Sequence, residues 1–597
     1  MFRSRIGLLF RTIGYYYSIN PLLFLIKEGS RVVKTILNIY NILIVGNFID
    51  GTVHILNEWN EFSFGDYIVT DSFFYLMVGL ILFCFVSLLQ KLAAYLDVIL
   101  EGEFHAKADL DILRKISKSN LQEVEEKKFQ NLINYVPQYS TARFLQAYSN
   151  ISMALIHFTT FMGSFIMLAR VMGLSSFIIV LFVLPETLVQ FYRNDQIRKY
   201  VDESIGKIKF MNYVRLLATR IPDFPELRVT GVFKFLKNSF KKKNRDYYTG
   251  LYEKNFHLYT DQALFSIVDQ ILLVAYIVYI LAVSVVKGVT IGQFSALVNY
   301  ARTGYNAAYH FVNHIFNIFD DLYYIKNFFD FLDYKNFGDI PSGEEKLIKG
   351  CPTIRFENLD FAYPKTREKV LEGISLEIKP GEKVAFVGSS GSGKSSLVRV
   401  LCGLFQVTAG DYVIGEYSVR ELKRGQLKSK ISIVFQDFVR YNFSLKRNIL
   451  IGSTNPKLNK SLYEKAKKIS GVDKIMKRLD IADEQALGKF FGNGKELSPG
   501  HWQRLAIARM IYRNKQIMIM DEPFTFIDGP SKAKILDGIM DFVGNDRILI
   551  YITQDTDNLD KFDRVYYFKK GKIVEEGKAK ELYKKKKHFY KEAKHNR

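Results

Sequence analysis

The run Ser72 to Gln90 (SFFYLMVGLILFCFVSLLQ) carries no charge and is long enough to cross the hydrocarbon core of a bilayer. Lipid offers the backbone no hydrogen-bond partners, so such a segment has to satisfy its own N–H and C=O groups as a helix. Phe144 to Ala169 is a second run of this kind, with His157 as its one group ionisable near neutrality, and Gln270 to Val286 is a third. Weaker apolar stretches lie at Lys34 to Ile49, Val171 to Phe191 and Ile291 to about Phe319. Together they predict six spans, which puts both ends of the membrane region on one side.

Charge between the spans sets the side. No Lys or Arg occurs from Thr35 to Gln90, and the connecting segment Asp50 to Ser72 is acidic. Lys91 to Arg143 and Arg193 to Lys254 are rich in Lys and Arg, including Lys241, Lys242 and Lys243, so the positive-inside bias places them in the cytoplasm. Both termini are then expected there too. The net charge of +22 therefore reads as loops facing anionic lipid, and no nucleic-acid partner is expected. Cys84, Cys351 and Cys402 share no metal or redox spacing and suit a reducing compartment. Lys27 and Arg31 break the first apolar stretch, so no cleavable signal peptide is expected. Arg170 to Gly173 leaves room for only a tight outer hairpin between spans three and four.

The sixth span carries Asn299, Arg302, Asn306, His310, Asn313 and Asn317 every three or four residues, on one helical face. Such a stripe is expensive against lipid and should face the bundle interior or water. It reads either as the lining of a substrate cavity or as hydrogen bonding between helices. Glu186, Gln190 and Asp269 on neighbouring spans could face the same interior, and Glu186 could instead be a helix-end charge.

From Thr353 the pattern changes to short β-rich runs (KVAFVG, ISIVFQ, QIMIMDE, ILIYIT) alternating with helical stretches, which predicts an α/β domain with a mostly parallel sheet. The strand KVAFVG leads into Gly388, Ser389, Ser390, Gly391, Ser392, Gly393, Lys394, Ser395 and Ser396, then into an apolar helix. This is a phosphate-binding loop in its strand–loop–helix setting. Backbone N–H groups and the helix N-terminus would cradle the phosphates of ATP, Lys394 would reach the β- and γ-phosphates, and the Ser395 hydroxyl would ligate Mg²⁺. Downstream, the buried run Ile517 to Met520 ends in Asp521-Glu522-Pro523. Asp521 can hold Mg²⁺, directly or through water, and Glu522 can polarise an attacking water.

With these motifs in place the chain resembles an ATP-binding-cassette (ABC) exporter over nearly its whole length. Leu497-Ser-Pro-Gly-His-Trp-Gln-Arg504 is similar to that family's signature motif, Phe435-Gln436-Asp437 to its Q-loop, and Tyr363 to the aromatic that stacks on adenine. Asp528 stands where the D-loop aspartate belongs, and Gly288 to Phe294 is similar to the segment that opens the last span. The resemblance implies two subunits sandwiching ATP head to tail, with Ser498 and Gly500 bonding the γ-phosphate across the interface. It implies Gln436 near Mg²⁺ or water, and coupling helices in the cytoplasmic loops, for which Glu125 to Gln130 and Asp223 to Arg228 are suited. The organisation expected is a six-helix all-α membrane domain over 1–332, a linker over 333–350, an α/β P-loop ATPase domain over 351–583 and a basic tail over 584–597. Lys584 to Lys587 in that tail reads as a solvated helix end or a touch-point for anionic lipid.

Three positions depart from the family pattern. Pro499 replaces the signature's glycine and removes an N–H, although proline is comfortable at a helix start. His501 replaces a glutamine, and Gln554 stands where the switch histidine should follow ILIYIT. Glutamine can bond the γ-phosphate but cannot carry a positive charge. The expectation is an ATP-driven exporter subunit in the cytoplasmic membrane, a homodimer or a heterodimer with a second half-transporter, moving a peptide or else a lipid or drug. The alternative is a partly degenerate subunit whose ATP binding is regulatory and whose hydrolysis is slow.

Overall fold

The computed structural model describes residues 2–57, 70–119, 121–136, 140–220, 223–334, 346, 348, 350–364, 366, 368–422, 425–453 and 457–595. The chain divides into two compact units, Met1–Lys118 with Lys128–Tyr334, and Ser119–Lys127 with Lys335–Arg597. Most of the expected linker, 335–345, 347 and 349, lies outside the described residues, as does 58–69 of the acidic connecting segment.

The first unit is helical. After Phe2–Tyr17 come six long helices, Pro21–Asn57, Asp71–Lys118, Thr141–Met172, Ile178–Glu203, Val232–Val286 and Ile291–Leu332. The first packs mainly on the second, the third on the sixth and the fourth on the fifth. Pro21–Asn57, Asp71–Lys118, Thr141–Glu203 and Val232–Val286 are long and apolar enough to cross a membrane. Large side chains such as Leu80, Ile81, Phe83 and Leu88 stand exposed on the second helix, as lipid-facing residues should. The sixth helix is diluted by its polar stripe. The turn between the third and fourth helices is a 3₁₀ segment, Gly173–Phe177, so Arg170 and Val171 belong to the third helix and the hairpin sits a few residues later than the charge pattern suggested.

One junction fixes the first helix against the sixth. Asp50 accepts hydrogen bonds from the Gly292 backbone N–H at 2.7 Å and the Thr290 hydroxyl at 2.6 Å, so a carboxylate caps the sixth helix at its positive end. Thr290 and Gln293 add a capping box. The two backbones touch there: a Cβ on Gly292 would lie 1.9 Å from the Gly46 carbonyl oxygen.

Of the coupling segments expected from the resemblance, Asp223 to Arg228 coincides with the short helix Phe224–Val229, whose N-cap is Asp223. In the other loop the short helix is Leu121–Val124, so Glu125 to Gln130 begins just past it and runs into the start of Lys127–Tyr135. Leu121 packs on the apolar core of the second unit, to which its segment belongs.

The second unit holds two sheets. The smaller is antiparallel, in the order β2 (Lys369–Ile378), β1 (Ile354–Ala362), β4 (Ala409–Ile414), β5 (Tyr417–Ser418). The larger runs β10 (Lys572–Gly577), β9 (Arg564–Lys569), β3 (Lys383–Val387), β8 (Ile548–Thr553), β7 (Ile517–Asp521), β6 (Ile431–Val434). All its neighbouring pairs are parallel except β10–β9. Strands β7 and β8 are buried along their whole length, which is why they read as unbroken apolar runs. The expected boundary at 583 is not a physical one. Helix His588–His595 buries Phe589 and Ala593, and Phe589 joins the same core as Trp502 and Leu536.

Candidate functional site

Sheet register gathers the phosphate-loop residues and the carboxylates at one edge. Val387 pairs with Thr553 and Asp521 with Ile552, so the carboxyl ends of β3, β7 and β8 finish level. Asp521 closes β7, and Gly388, Glu522 and Gln554 follow β3, β7 and β8 directly. In parallel sheets this edge is where ligands bind.

The loop from Gly388 to Gly393 leads into helix Lys394–Leu401. Gly393 has φ +101°, and a Cβ there would come within 2.8 Å of Leu371, so both conformation and space require glycine. The Lys394 ammonium is buried and donates to the Gly388 carbonyl at 2.6 Å, the Ser389 carbonyl at 2.9 Å and the Ser392 hydroxyl at 3.1 Å. Burial lowers its pKa. A cation folded onto its own loop is poised for an anion that would supply stronger partners.

Asp521 is buried at the end of β7, and burial, with the adjacent Glu522, raises its pKa to about 6. It hydrogen-bonds Ser395, and its Oδ1 is buried without a protein partner. A hard oxygen left unsatisfied beside a hydroxyl fits a divalent cation such as Mg²⁺. Glu522 has φ +45°, rare for a side chain of its size, and the strain is held by its N–H donating to the Ile552 carbonyl at 3.0 Å. Both of its oxygens are taken: Gln554 Nε2 donates to Oε1 at 2.6 Å and Gln436 Nε2 to Oε2 at 3.0 Å.

Tyr363 shares a hydrogen bond with the Ser396 hydroxyl at 3.0 Å, receives one from Arg399 at 3.0 Å, and packs edge-on against Phe361 and Phe405. Asp528 caps helix Gly529–Val543 by accepting from the Ser531 N–H at 3.0 Å.

Ser498 is the N-cap of helix Pro499–Arg513, and Pro499 opens that helix where its missing N–H breaks no helical bond. A Cβ on Gly500 would lie 2.4 Å from the Phe526 carbonyl oxygen, so packing alone demands glycine. His501 Nε2 lies 2.7 Å from Arg478 Nη2. Arginine can only donate, so Nε2 accepts and the proton sits on Nδ1. Burial first, then Arg478 and Arg504, lower the His501 pKa.

Gln503 enters the sequence reading only as part of the signature-like run Leu497 to Arg504, with no role of its own, yet it ties these parts together. It is buried, donates to the Glu522 carbonyl at 3.3 Å and accepts from the Phe526 N–H at 3.0 Å. An amide between the apolar Trp502 and the buried Leu505 and Ala506 was the available signal.

In the first unit, Asn299, Arg302, Asn306, His310 and Asn317 stand exposed along the sixth helix, and Asn313 is half-buried. Asn299 bonds only its own helix, to the Ser295 carbonyl. Glu186 does not join this face. It is 5 % exposed, takes a hydrogen bond from Tyr309 at 3.0 Å, and lies within hydrogen-bonding reach of Asp269, itself buried and bonded by Tyr305. The sixth helix presents Tyr305 to the fifth helix and Tyr309 to the fourth, while Asn299, Arg302, Asn306 and His310 stand exposed.

Residues 371–525 match the family model described as ABC transporter. The chain is 24 % identical over 511 residues to the subtilin transport ATP-binding protein SpaT of Bacillus subtilis, covering 84 % of this chain and 82 % of that one. It is 24 % identical over 512 residues to the nisin transport ATP-binding protein NisT of Lactococcus lactis, at 83 % and 84 %. The ATP-dependent lipid A-core flippase 2 of Colwellia psychrerythraea is 33 % identical over 257 residues, 43 % of each chain. In three dimensions the fold matches a bacterial Atm1-family ABC exporter solved with ATP bound, with a TM-score of 0.75 at 18 % identity over 96 % of this chain and 99 % of that one.

Proposed function

This chain is a half-transporter of the ABC exporter family, a multi-pass membrane region fused to an ATP-binding ATPase domain, and on that premise we propose that it drives peptide export as one subunit of a dimer. The peptide assignment is supported by the two relatives named for subtilin and nisin transport, whose similarity runs through both the membrane and ATPase regions. The observation that carries the ATPase chemistry is the meeting of Lys394, Ser395, Asp521, Glu522, Gln436 and Gln554 at one sheet edge.

In the proposed cycle the loop from Gly388 to Ser396 wraps the phosphates with backbone N–H groups while Lys394 turns from its own carbonyls to the β- and γ-phosphates. Tyr363 offers its ring to adenine. Ser395, Asp521 and Gln436 would hold Mg²⁺, which neutralises charge on the phosphates when bound. Glu522 orients and polarises the attacking water, for which one of its two amide donors has to move aside. Ser498, Gly500 and Asp528 face the partner subunit's ATP, so intact ATP holds two ATPase domains together and hydrolysis releases them. Positive-inside loops put the ATPase domain and both termini in the cytoplasm, and the face bearing Asn299, Arg302, Asn306, His310 and the half-buried Asn313 lines the path.

A second reading keeps ATP binding but makes hydrolysis slow. It is favoured by Gln554, whose amide sits on Glu522 and has no charge to offer a developing phosphate anion. Glu522→Gln separates the two. In inside-out vesicles a pump loses ATP-dependent peptide uptake and retains bound ATP, whereas a binding-only subunit keeps the behaviour of the unsubstituted protein.

A further inference from the structure

A cavity of about 580 Å³ opens among the first, second, third and sixth long helices, within the size range of small-ligand sites. Its polar lining includes Arg31, Lys34, Asn38, Gln90, Asp97 and His157. Most of the charge there is already neutralised. Arg31 and the fully buried Lys27 both pair with Asp97, and Glu28 lies 3.5 Å from Lys27 and 3.7 Å from Arg31. Glu28 also accepts from Tyr148 at 2.5 Å and Ser152 at 2.6 Å. Two cations therefore balance two carboxylates in a closed network.

Lys34 is left over. Its ammonium donates to the Gln90 amide oxygen at 3.1 Å, and no carboxylate of the described residues stands within ion-pair distance of it. Two of its three N–H donors are thus open to the cavity. One turn on, Asn38 exposes its amide to the same space, and His157 lines it from the third helix, stacked on His314 and tilted against His310. A cation in the membrane-spanning part of a helix is costly without a counter-charge or water.

We propose that this cavity binds the anionic end of the transported molecule, one carboxylate or phosphate group seated on Lys34 with Gln90 and Asn38 as hydrogen-bond partners. A cationic group meets Lys34 and Arg31 and is repelled; a neutral one leaves Lys34 uncompensated. That the ligand is cargo rests on the exporter reading; that an anion binds does not.

The test is equilibrium binding to the full chain in nanodiscs of zwitterionic phosphatidylcholine, without nucleotide. The probes are radiolabelled dodecanoylglycine, dodecyl phosphate and the neutral dodecanoylglycinamide. At least one anion should bind saturably, weaken about tenfold in Lys34→Gln and recover in Lys34→Arg, while the amide is indifferent to both changes. Preference for the carboxylate identifies a peptide or acyl-amino-acid terminus, and preference for the phosphate a phospholipid headgroup. Equal binding of all three probes, no saturable binding of either anion, or an anion affinity unchanged in Lys34→Gln overturns the proposal. Recovery in Lys34→Arg shows that the glutamine variant did not merely misfold. With no nucleotide present, failure of the ATPase leaves the result untouched, and vesicle uptake judges the exporter reading separately.

Discussion

Glu522 sits in left-handed backbone with an amide on each carboxylate oxygen, so the group best placed to activate water is held rather than free. Gln554 is the residue whose replacement should tell most. Gln554→His restores a side chain able to carry charge beside the developing anion, and the steady-state ATPase rate should rise roughly tenfold to a hundredfold. Gln554→Ala should lower it by a similar factor, because a hydrogen-bond donor to the reacting phosphate disappears. If neither variant moves the turnover measured in lipid, the glutamine does not limit hydrolysis. The phosphate loop, Asp521 and Glu522 were readable because their spacing along the chain is itself the geometry. Gln503 and the placement of Glu186 were not, since both depend on which neighbour a helix turns toward. Glu186 looked like cavity lining because Asn299 to Asn313 defined a polar face nearby. The structure gives it to Tyr309 and Asp269, one buried group satisfying another.

At the scale of elements, helices announced themselves by hydropathy and their ends did not. The hairpin between the third and fourth helices slid to Gly173–Phe177 because a glycine at φ +62° ends the helix, a stronger signal than the charge on Arg170. The junction of Asp50 with Thr290 and Gly292 joins residues far apart in sequence and had no local signature, although an acidic residue closing an apolar run was visible. Gly292→Ala should destabilise the membrane region by about 1–3 kcal/mol, because its methyl meets the Gly46 backbone and cannot be accommodated by a rotamer change. Thermal unfolding in detergent reads this, and an unchanged midpoint would mean that the two helices separate without penalty.

Across the whole molecule the division into a helical and an α/β part followed from composition, but its borders followed from packing. Ser119–Lys127 groups with the α/β unit although it lies between two spans, and the basic C-terminus is a structural part of that unit. Phe589 is fully buried, its N–H bonds Glu575 at 3.1 Å, and Glu592 accepts from Tyr567 at 3.1 Å. Phe589→Ala should therefore cost about 3–5 kcal/mol and lower the unfolding transition of the full chain, whereas a merely solvated tail would leave it unmoved. A different consequence follows from the carboxylate that locks the start of the sixth helix to the first. Tyr300 of the sixth helix also donates to the Ile39 carbonyl at 3.1 Å, a second tie between the same two rods. At 1.5 Å per residue Lys34 lies about 18 Å along the rod from Gly46, past both ties, so a tilt of one rod displaces the lysine end by more than it displaces the clasp.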